Sequence, residues 1–119
     1  MKILALALAL FSASPSPVDT LMAASAADFQ AHQPHLADVR DVHTGTLTVP
    51  GEAPQPIICG QFRMGGTGGD TWSDFAAIKT SGYEQWLGET ATAYCRRADM
   101  DHGKDHDLTD AYKAQLGVK

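Results

Sequence analysis

The clearest β-strand pattern in the chain is Ile57-Ile58-Cys59-Gly60-Gln61-Phe62-Arg63-Met64. Successive side chains of a strand point to opposite faces of the sheet, so this run divides into two sets. One set comprises Ile58, Gly60, Phe62 and Met64, and the other comprises Cys59, Gln61 and Arg63. The run therefore predicts a strand with a cysteine on the face opposite to Phe62.

Weaker β patterns lie on both sides of this strand. Upstream, Leu36–His43 predicts a first strand, and the alternation in Thr46–Val49 also favours β structure. Downstream, the glycine-rich stretch Gly65–Asp70 predicts a hairpin connection that leads into a strand over Trp72–Lys79. We therefore expect a small antiparallel sheet of three to four strands.

Beyond these strands the apolar spacing changes to that of a helix. Apolar side chains recur at Tyr83, Trp86, Leu87, Ala91 and Tyr94, which places them in one stripe on a helix. Cys95 lies on the flank of this stripe, from where it can reach a neighbouring strand. The prediction is an α+β fold in which the small three- to four-stranded antiparallel sheet packs against this C-terminal amphipathic helix.

The chain contains two cysteines, Cys59 and Cys95. In an oxidising compartment, an even number of cysteines in a small chain predicts a disulfide, and two cysteines allow a single pairing. Closing so long a loop would stabilise the fold by roughly 4 kcal/mol and would pin the helix to the middle strand. The alternatives are a free catalytic thiol and a metal-binding pair, although no C-x-x-C motif occurs.

The N-terminal segment also predicts an oxidising compartment. Met1-Lys2 is basic, and Ile3–Phe11 is an apolar run too short to span a bilayer, which is the layout of a secretory signal peptide. The best small-x-small cleavage site is Ala24-Ser25-Ala26, because the earlier site Ser12-Ala13-Ser14 is followed by a proline. We predict a signal peptide over residues 1–26, an α+β domain over 27–95, a polar C-terminal extension with a short helix over 96–119, and a periplasmic or secreted location.

Composition and charge limit the kinds of partner. The chain has 119 residues with 9 basic and 14 acidic side chains, which gives a net charge of −5. Such a charge argues against nucleic acid and against an anionic membrane surface as partners. Hydrophobic residues make up 44% of the chain, an ordinary globular proportion that argues against wholesale disorder.

The stretch most suggestive of metal binding is the polar segment Asp99–Asp107. His102 and His106 stand four residues apart, which on a helix would place both imidazoles on one face as a zinc or copper pair. Asp99 would be the third ligand. The segment departs from the calcium-loop and H-E-x-x-H patterns, and the alternative is a solvated polar linker.

No recognised catalytic motif occurs in the sequence. It lacks the G-x-S-x-G nucleophile elbow. The stretch Gly60–Thr67 departs from the phosphate-binding loop because Gly66 stands where a lysine is required. We therefore predict a non-enzymatic protein with no catalytic residue and no cofactor.

The predicted function is to bind a partner protein of the cell envelope. Such an inhibitor or immunity-type protein would insert its Gly65–Trp72 hairpin into the partner's cleft, with Asp70 and Trp72 as contact residues. The alternative is a metal-binding periplasmic protein that uses His102 and His106. The oligomeric state is not indicated by the sequence.

Several of these residues also carry a resemblance to a known group of proteins. The motifs are, in chain order, Val39-Arg40-Asp41-Val42, Ile58-Cys59-Gly60, a glycine-rich turn, Trp72 with Phe75, and Trp86 with Tyr94-Cys95. They resemble small, largely uncharacterised exported proteobacterial proteins with an Arg-Asp-Val strand, a Val-Cys-Gly strand, a Gly-Gly-aromatic hairpin and a late Trp…Cys helix. The resemblance covers residues 36–95, and the chain departs from it in the glycine turn and in the long tail. It implies an exported location and a shared fold, and it implies no catalytic residues.

Overall fold

A computed structural model describes residues 16–66, 71–79, 82–101, 103 and 106–118. In chain order its elements are α1 (Pro17–His32), β1 (Leu36–Leu47), β2 (Gln55–Met64), β3 (Ser73–Lys79), β4 (Tyr83–Leu87), α2 (Glu89–Arg97), β5 (Asp99–Met100) and α3 (Thr109–Leu116). The strands of these residues form one antiparallel sheet of five, in the order β4-β3-β2-β1-β5. The predicted α+β class and antiparallel sheet are confirmed. The predicted strand number was too low, and the helix that packs on the sheet is one of three in the described residues, of which α3 lies in the region 96–119 where a short helix was expected.

The alternation predicted for the central strand β2 is present. Ile58 and Phe62 pack on one face of the sheet with Phe75 of β3, and Cys59 lies on the other face. Gly60 belongs to the first face, where a Cβ atom would lie 2.8 Å from Phe75 Cε1. A glycine is required there because the phenylalanine ring occupies the space of a side chain.

We name the face that carries Phe62 and Phe75 the inner face, and α1 and α3 cover it. Phe29 of α1 is 0% exposed. Its ring centroid lies 5.4 Å from that of Phe62, 5.1 Å from that of Phe75 and 6.4 Å from that of Tyr112 in α3. Tilted and edge-to-face contacts of this kind are favoured between aromatic rings. The main core is therefore an aromatic cluster between two helices and the sheet.

Local signals define both ends of α1. The Ser16 hydroxyl accepts a hydrogen bond from the Asp19 amide at 3.1 Å, and Pro17 occupies the first helical position. The helix ends at His32, shortly before Pro34. The predicted division between residues 26 and 27 falls inside this helix, and the predicted division between 95 and 96 falls inside α2.

The segment Tyr83–Leu87 is the strand β4 and not the first turns of the predicted helix. It pairs with β3 in antiparallel register along its whole length. Gly88 then adopts φ 78° and ψ −142°, a conformation that residues with a side chain rarely adopt. The helix α2 begins directly after it. The apolar side chains of this segment therefore lie on two faces of the sheet and not in one helical stripe. Tyr83 packs against the core on the Phe62 face, whereas Trp86 packs on Tyr94 of α2.

The predicted disulfide is confirmed, and it joins α2 to the central strand. The sulfur atoms of Cys59 and Cys95 are 2.07 Å apart, and their Cα atoms are 6.1 Å apart. On this side of the sheet, the outer face, Ala91 of α2 is fully buried in a second apolar cluster with Ile57 and Ile78. The disulfide and the aromatic cluster therefore lie on opposite faces of the sheet.

The segment after Cys95 completes the fold. The Leu108 amide donates to the Val42 carbonyl at 2.7 Å, and the Thr109 hydroxyl accepts from the Val42 amide at 3.0 Å. These bonds pair the backbone amide and carbonyl of Val42, which lie on the edge of β1 beyond the residues that pair with β5. Tyr112 of α3 is fully buried in the aromatic cluster. The residues beyond the disulfide thus contribute to both the sheet edge and the core.

Candidate functional site

The outer face of the sheet is covered over part of its length. Helix α2 packs over Cys59, Ala76 and Ile78, and its Thr92 side chain contacts Asp74 beside them. A cavity of about 490 Å³ opens beside α2 at this point. We name it the outer cleft, and the residues that line it include Asp41, His43, Gln61, Asp74, Thr92 and Asp101.

A row of hydrogen bonds crosses the outer face at the cleft. Arg40 Nε donates to Gln61 Oε1 at 2.9 Å, and Gln61 Nε2 donates to Asp74 Oδ1 at 3.1 Å. The Thr92 hydroxyl of α2 donates to the other carboxylate oxygen of Asp74. We name these four residues the polar row. Because the row links three strands and a helix, each of its side chains has a defined orientation.

Trp72 lies at the Arg40 end of the polar row. Arg40 Cζ is 4.1 Å from the centroid of the Trp72 ring, and Arg63 Cζ is 5.6 Å from it. Both distances are within the range of cation–π interactions. The Trp72 side chain is half-buried, and that of Arg40 is 48% exposed. We name Arg40, Arg63 and Trp72 the aromatic–arginine patch.

Strand β1 bends at the rim of the outer cleft. Its pairing with β2 shifts register between Arg40 and His43, which is the signature of a β-bulge. Asp41 in this bulge has φ 52°, in the left-handed region that few residues other than glycine adopt. Bulges occur often beside functional sites, where they re-aim side chains. Here the bulge places the exposed Asp41 carboxylate at the rim.

Carboxylates near β5 are held in place by hydroxyl groups. The Thr44 hydroxyl donates to Asp101 Oδ2 at 3.1 Å, and His106 Nδ1 lies 4.0 Å from the same oxygen. Hydrogen bonds from the Thr109 hydroxyl and amide hold the pKa of the Asp107 carboxyl below its usual range. The Asp107 carboxyl lines a hollow together with Asp41, Asp110 and Arg40, so carboxylates lie close to one arginine of the aromatic–arginine patch.

The predicted metal ligands lie in different structural settings. Asp99 is in β5, where it pairs with Thr46, and His106 lies beside Asp101. His102 lies outside the described residues. Within the described ranges, no three His, Cys, Asp or Glu side chains form a cluster that could hold a metal ion. The metal site therefore stays a prediction.

The structure places one of the two predicted partner-binding residues. Trp72 lies on the outer face, whereas Asp70 lies outside the described residues. Sequence reasoning did not identify Arg40 and Arg63 as neighbours of Trp72. The sequence did contain one signal for this surface. The face of β2 that carries Cys59 also carries Gln61 and Arg63, and such polar side chains are typical of a sheet face that is not fully buried.

The chain was compared with protein families, curated proteins and solved structures, and none of them matches it. In the part of the chain that the structure describes, no helix is long and apolar enough to cross a membrane.

Proposed function

We propose that this protein is an exported, disulfide-stabilised binding protein that docks a partner protein of the cell envelope through the aromatic–arginine patch. It acts without catalysis, in the manner of an inhibitor or an immunity-type protein. The observation that carries the proposal is the position of Arg40 and Arg63 against the half-buried Trp72 ring on the outer face.

The residue types of the patch suit a protein–protein contact. Tryptophan and arginine are the residues that most often contribute strongly to such binding. Here the side chains are ordered before a partner arrives, because Arg40 is held by Gln61 in the polar row and stacks on Trp72. Ordered side chains lose less conformational entropy on binding, so more of the contact energy contributes to affinity.

The charge of the patch favours a partner that presents carboxylates. The chain carries a net charge of −5, and the patch sets two guanidinium groups against one ring, with the Asp41 carboxylate oxygen Oδ2 3.8 Å from Arg40 Nε. A guanidinium group that stacks on a ring donates hydrogen bonds from its edges, and these edges match the two oxygens of Asp and Glu side chains. We therefore expect acidic side chains in the contact surface of the partner.

The disulfide supports export. Such bonds persist in the periplasm and outside the cell and are rare in the cytosol, where thiols are kept reduced. The Cys59–Cys95 bond is compatible with an oxidising compartment. The basic start and the apolar run that predict a signal peptide lie outside the described residues, and they support export through their sequence pattern.

The test of the docking site compares two tryptophans. A partner is cross-linked to the full-length protein in envelope extracts, identified and purified, and its affinity is measured for native, Trp72→Ala and Trp86→Ala proteins. Loss of Trp72 should weaken binding about 30-fold, which corresponds to a hot spot of ~2 kcal/mol. Trp86, which is 38% exposed and packs on Tyr94, is the matched control and should change the affinity less than about twofold.

Thermal unfolding separates a binding effect from a folding effect. Both variants should unfold within about 8 °C of the native transition temperature, because neither tryptophan belongs to the aromatic cluster and each loss should cost less than about 1 kcal/mol. A Trp72→Ala protein that is stable and binds as tightly as the native protein would exclude this docking site. Equal losses for the two variants would indicate a different contact surface.

The chemistry of the partner is tested through charge. Arg63→Gln should slow association and make the association rate less dependent on salt, because the Arg63 guanidinium attracts the carboxylates expected on the partner. Stopped-flow measurements at several ionic strengths give both quantities. An association rate that does not depend on salt would contradict an acidic partner while leaving the docking site in place.

A further inference from the structure

Helix α1 contains the predicted signal-peptide cleavage site, and its residues near that site are buried. Leu21 and Ala26 are 2% exposed, Met22 is 6% exposed and Ser25 is 0% exposed. The three apolar residues belong to the main core together with Phe29. A cut after Ala26 would therefore remove side chains around which the core is packed.

Ser25 makes the most specific of these contacts. Its hydroxyl accepts from the Tyr112 hydroxyl of α3 at 2.5 Å and donates to Gln85 Oε1 of β4. Elements that are far apart in the chain thus meet at one buried serine. Its removal would deprive the buried Tyr112 hydroxyl of this partner, and an unpaired buried hydroxyl is unfavourable.

The contacts that follow Ala26 depend on the same helix. The Tyr83 hydroxyl donates to Asp28 Oδ2 at 3.1 Å, and the Phe29 ring lies at the centre of the aromatic cluster. After a cut at Ala26, both residues would lie on a fragment of less than two turns that ends at His32. So short a helix does not hold its conformation without the preceding turns.

We infer that residues 16–26 belong to the mature protein. If the apolar N-terminal segment is removed by hydrolysis of a peptide bond, that bond lies before Ser16, whose hydroxyl caps α1 by accepting from the Asp19 amide. The small residues of Ala24-Ser25-Ala26, which resemble a cleavage site, are instead required by the packing of α1. Ser25 and Ala26 are buried, and small side chains let the helix approach the residues it packs against.

The first residue of the mature protein tests the inference directly. The full-length gene, with its own N-terminal segment, is expressed in a bacterial cell that exports it, and the product is examined by intact mass and N-terminal sequencing. The expected N terminus is Ser16 or any residue before it. An N terminus at Ala27, or at any other position after Ser16, overturns the inference.

Two variants test the cleavage site itself. For a cut after Ala26, position 24 must be small, so Ala24→Gln would block that cut, whereas Ala23→Gln changes the neighbouring exposed position and would not. We expect both variants to be processed like the native chain. Accumulation of the precursor for Ala24→Gln alone would overturn the inference. The result does not depend on any partner, so it is separate from the proposed function.

Discussion

At the scale of single residues, Asp41 holds an uncommon backbone conformation at the rim of the outer cleft. Its φ of 52° costs a residue other than glycine roughly 1 kcal/mol, although aspartate tolerates it better than a branched side chain does. Asp41→Gly should therefore leave the free energy of unfolding unchanged or raise it by about 1 kcal/mol, and Asp41→Val should lower it by about 1–2 kcal/mol. Urea unfolding measures both effects, with an unchanged m value as the control. A valine variant as stable as the native protein would contradict the left-handed conformation.

Tyr112 gives a pH dependence at the same scale. Burial raises the pKa of the Tyr112 phenol above its usual value of 10.0. The folded protein therefore keeps this proton while the unfolded chain releases it, so the contribution is complete below pH 10.0 and is lost as the pH rises above that value. Tyr83 also contributes stability that is lost at high pH, because burial and the nearby Asp28 carboxylate raise the pKa of its phenol.

We expect the Tyr112→Phe variant to be less stable than the native protein at neutral pH and more stable than it at high pH. At neutral pH the variant should be less stable by about 1 kcal/mol, because it lacks the hydrogen bond to Ser25. Above pH 10.0 it should lose less stability than the native protein, because one titrating phenol is absent. Urea unfolding at a series of pH values measures the difference. Parallel curves for the two proteins would contradict the assignment.

At the scale of secondary-structure elements, α2 depends on the disulfide more than the other helices do. Its described residues include a single buried side chain, Ala91, and its first turn has no side-chain cap. By contrast, α1 buries Leu21, Met22 and Phe29 in the main core. The position of α2 over the sheet therefore rests largely on the covalent bond to β2.

Replacement of both cysteines tests this dependence. Cys59→Ser together with Cys95→Ser should lower the free energy of unfolding by about 4 kcal/mol, because the bond joins residues that are 36 positions apart in sequence. Hydrogen exchange should accelerate more in α2 than in α1. Reduction of the native protein is the matched control and should reproduce the same pattern. Equal acceleration in both helices would show that α2 does not rely on the disulfide.

At the scale of the whole molecule, the two faces of the sheet are joined by the central strand. β2 contributes Ile58 and Phe62 to the aromatic cluster, and it contributes Cys59 and Gln61 to the outer cleft. A loss of packing on the inner face must therefore disturb the outer face. The described part of the chain should unfold as one cooperative unit.

Phe29 is the residue with which to test this cooperativity. Phe29→Ala should lower the free energy of unfolding by about 3–5 kcal/mol, because it leaves a cavity at the centre of the aromatic cluster. The tryptophan fluorescence, which reports Trp72 and Trp86 on the outer face, should change together with the far-ultraviolet circular dichroism. Trp86→Ala is the control and should cost less than about 1 kcal/mol. Transitions that do not coincide would show that the two faces unfold separately.

The features that could be predicted from the sequence are those that depend on neighbouring residues or on simple counts. The alternation of β2 follows from the fixed period of a strand, and the pairing of Cys59 with Cys95 follows because two cysteines allow one bond. The end of α1 at His32, shortly before Pro34, follows from the backbone restrictions that a proline places on the residue before it. In each case the physical cause lies within a few residues or within the composition.

The remaining features depend on contacts between distant parts of the chain. Tyr83–Leu87 has the apolar spacing of a helix, yet pairing with β3 supplies its backbone hydrogen bonds, and this tertiary contact outweighs the local pattern. Ser25 is buried only because α1, β4 and α3 meet around its hydroxyl. Likewise, Arg40 and Arg63 reach Trp72 only because β1 and β2 pair beside it. Local conformational preferences do not specify these long-range contacts. They form because burial and hydrogen bonding must be satisfied for the whole chain at the same time.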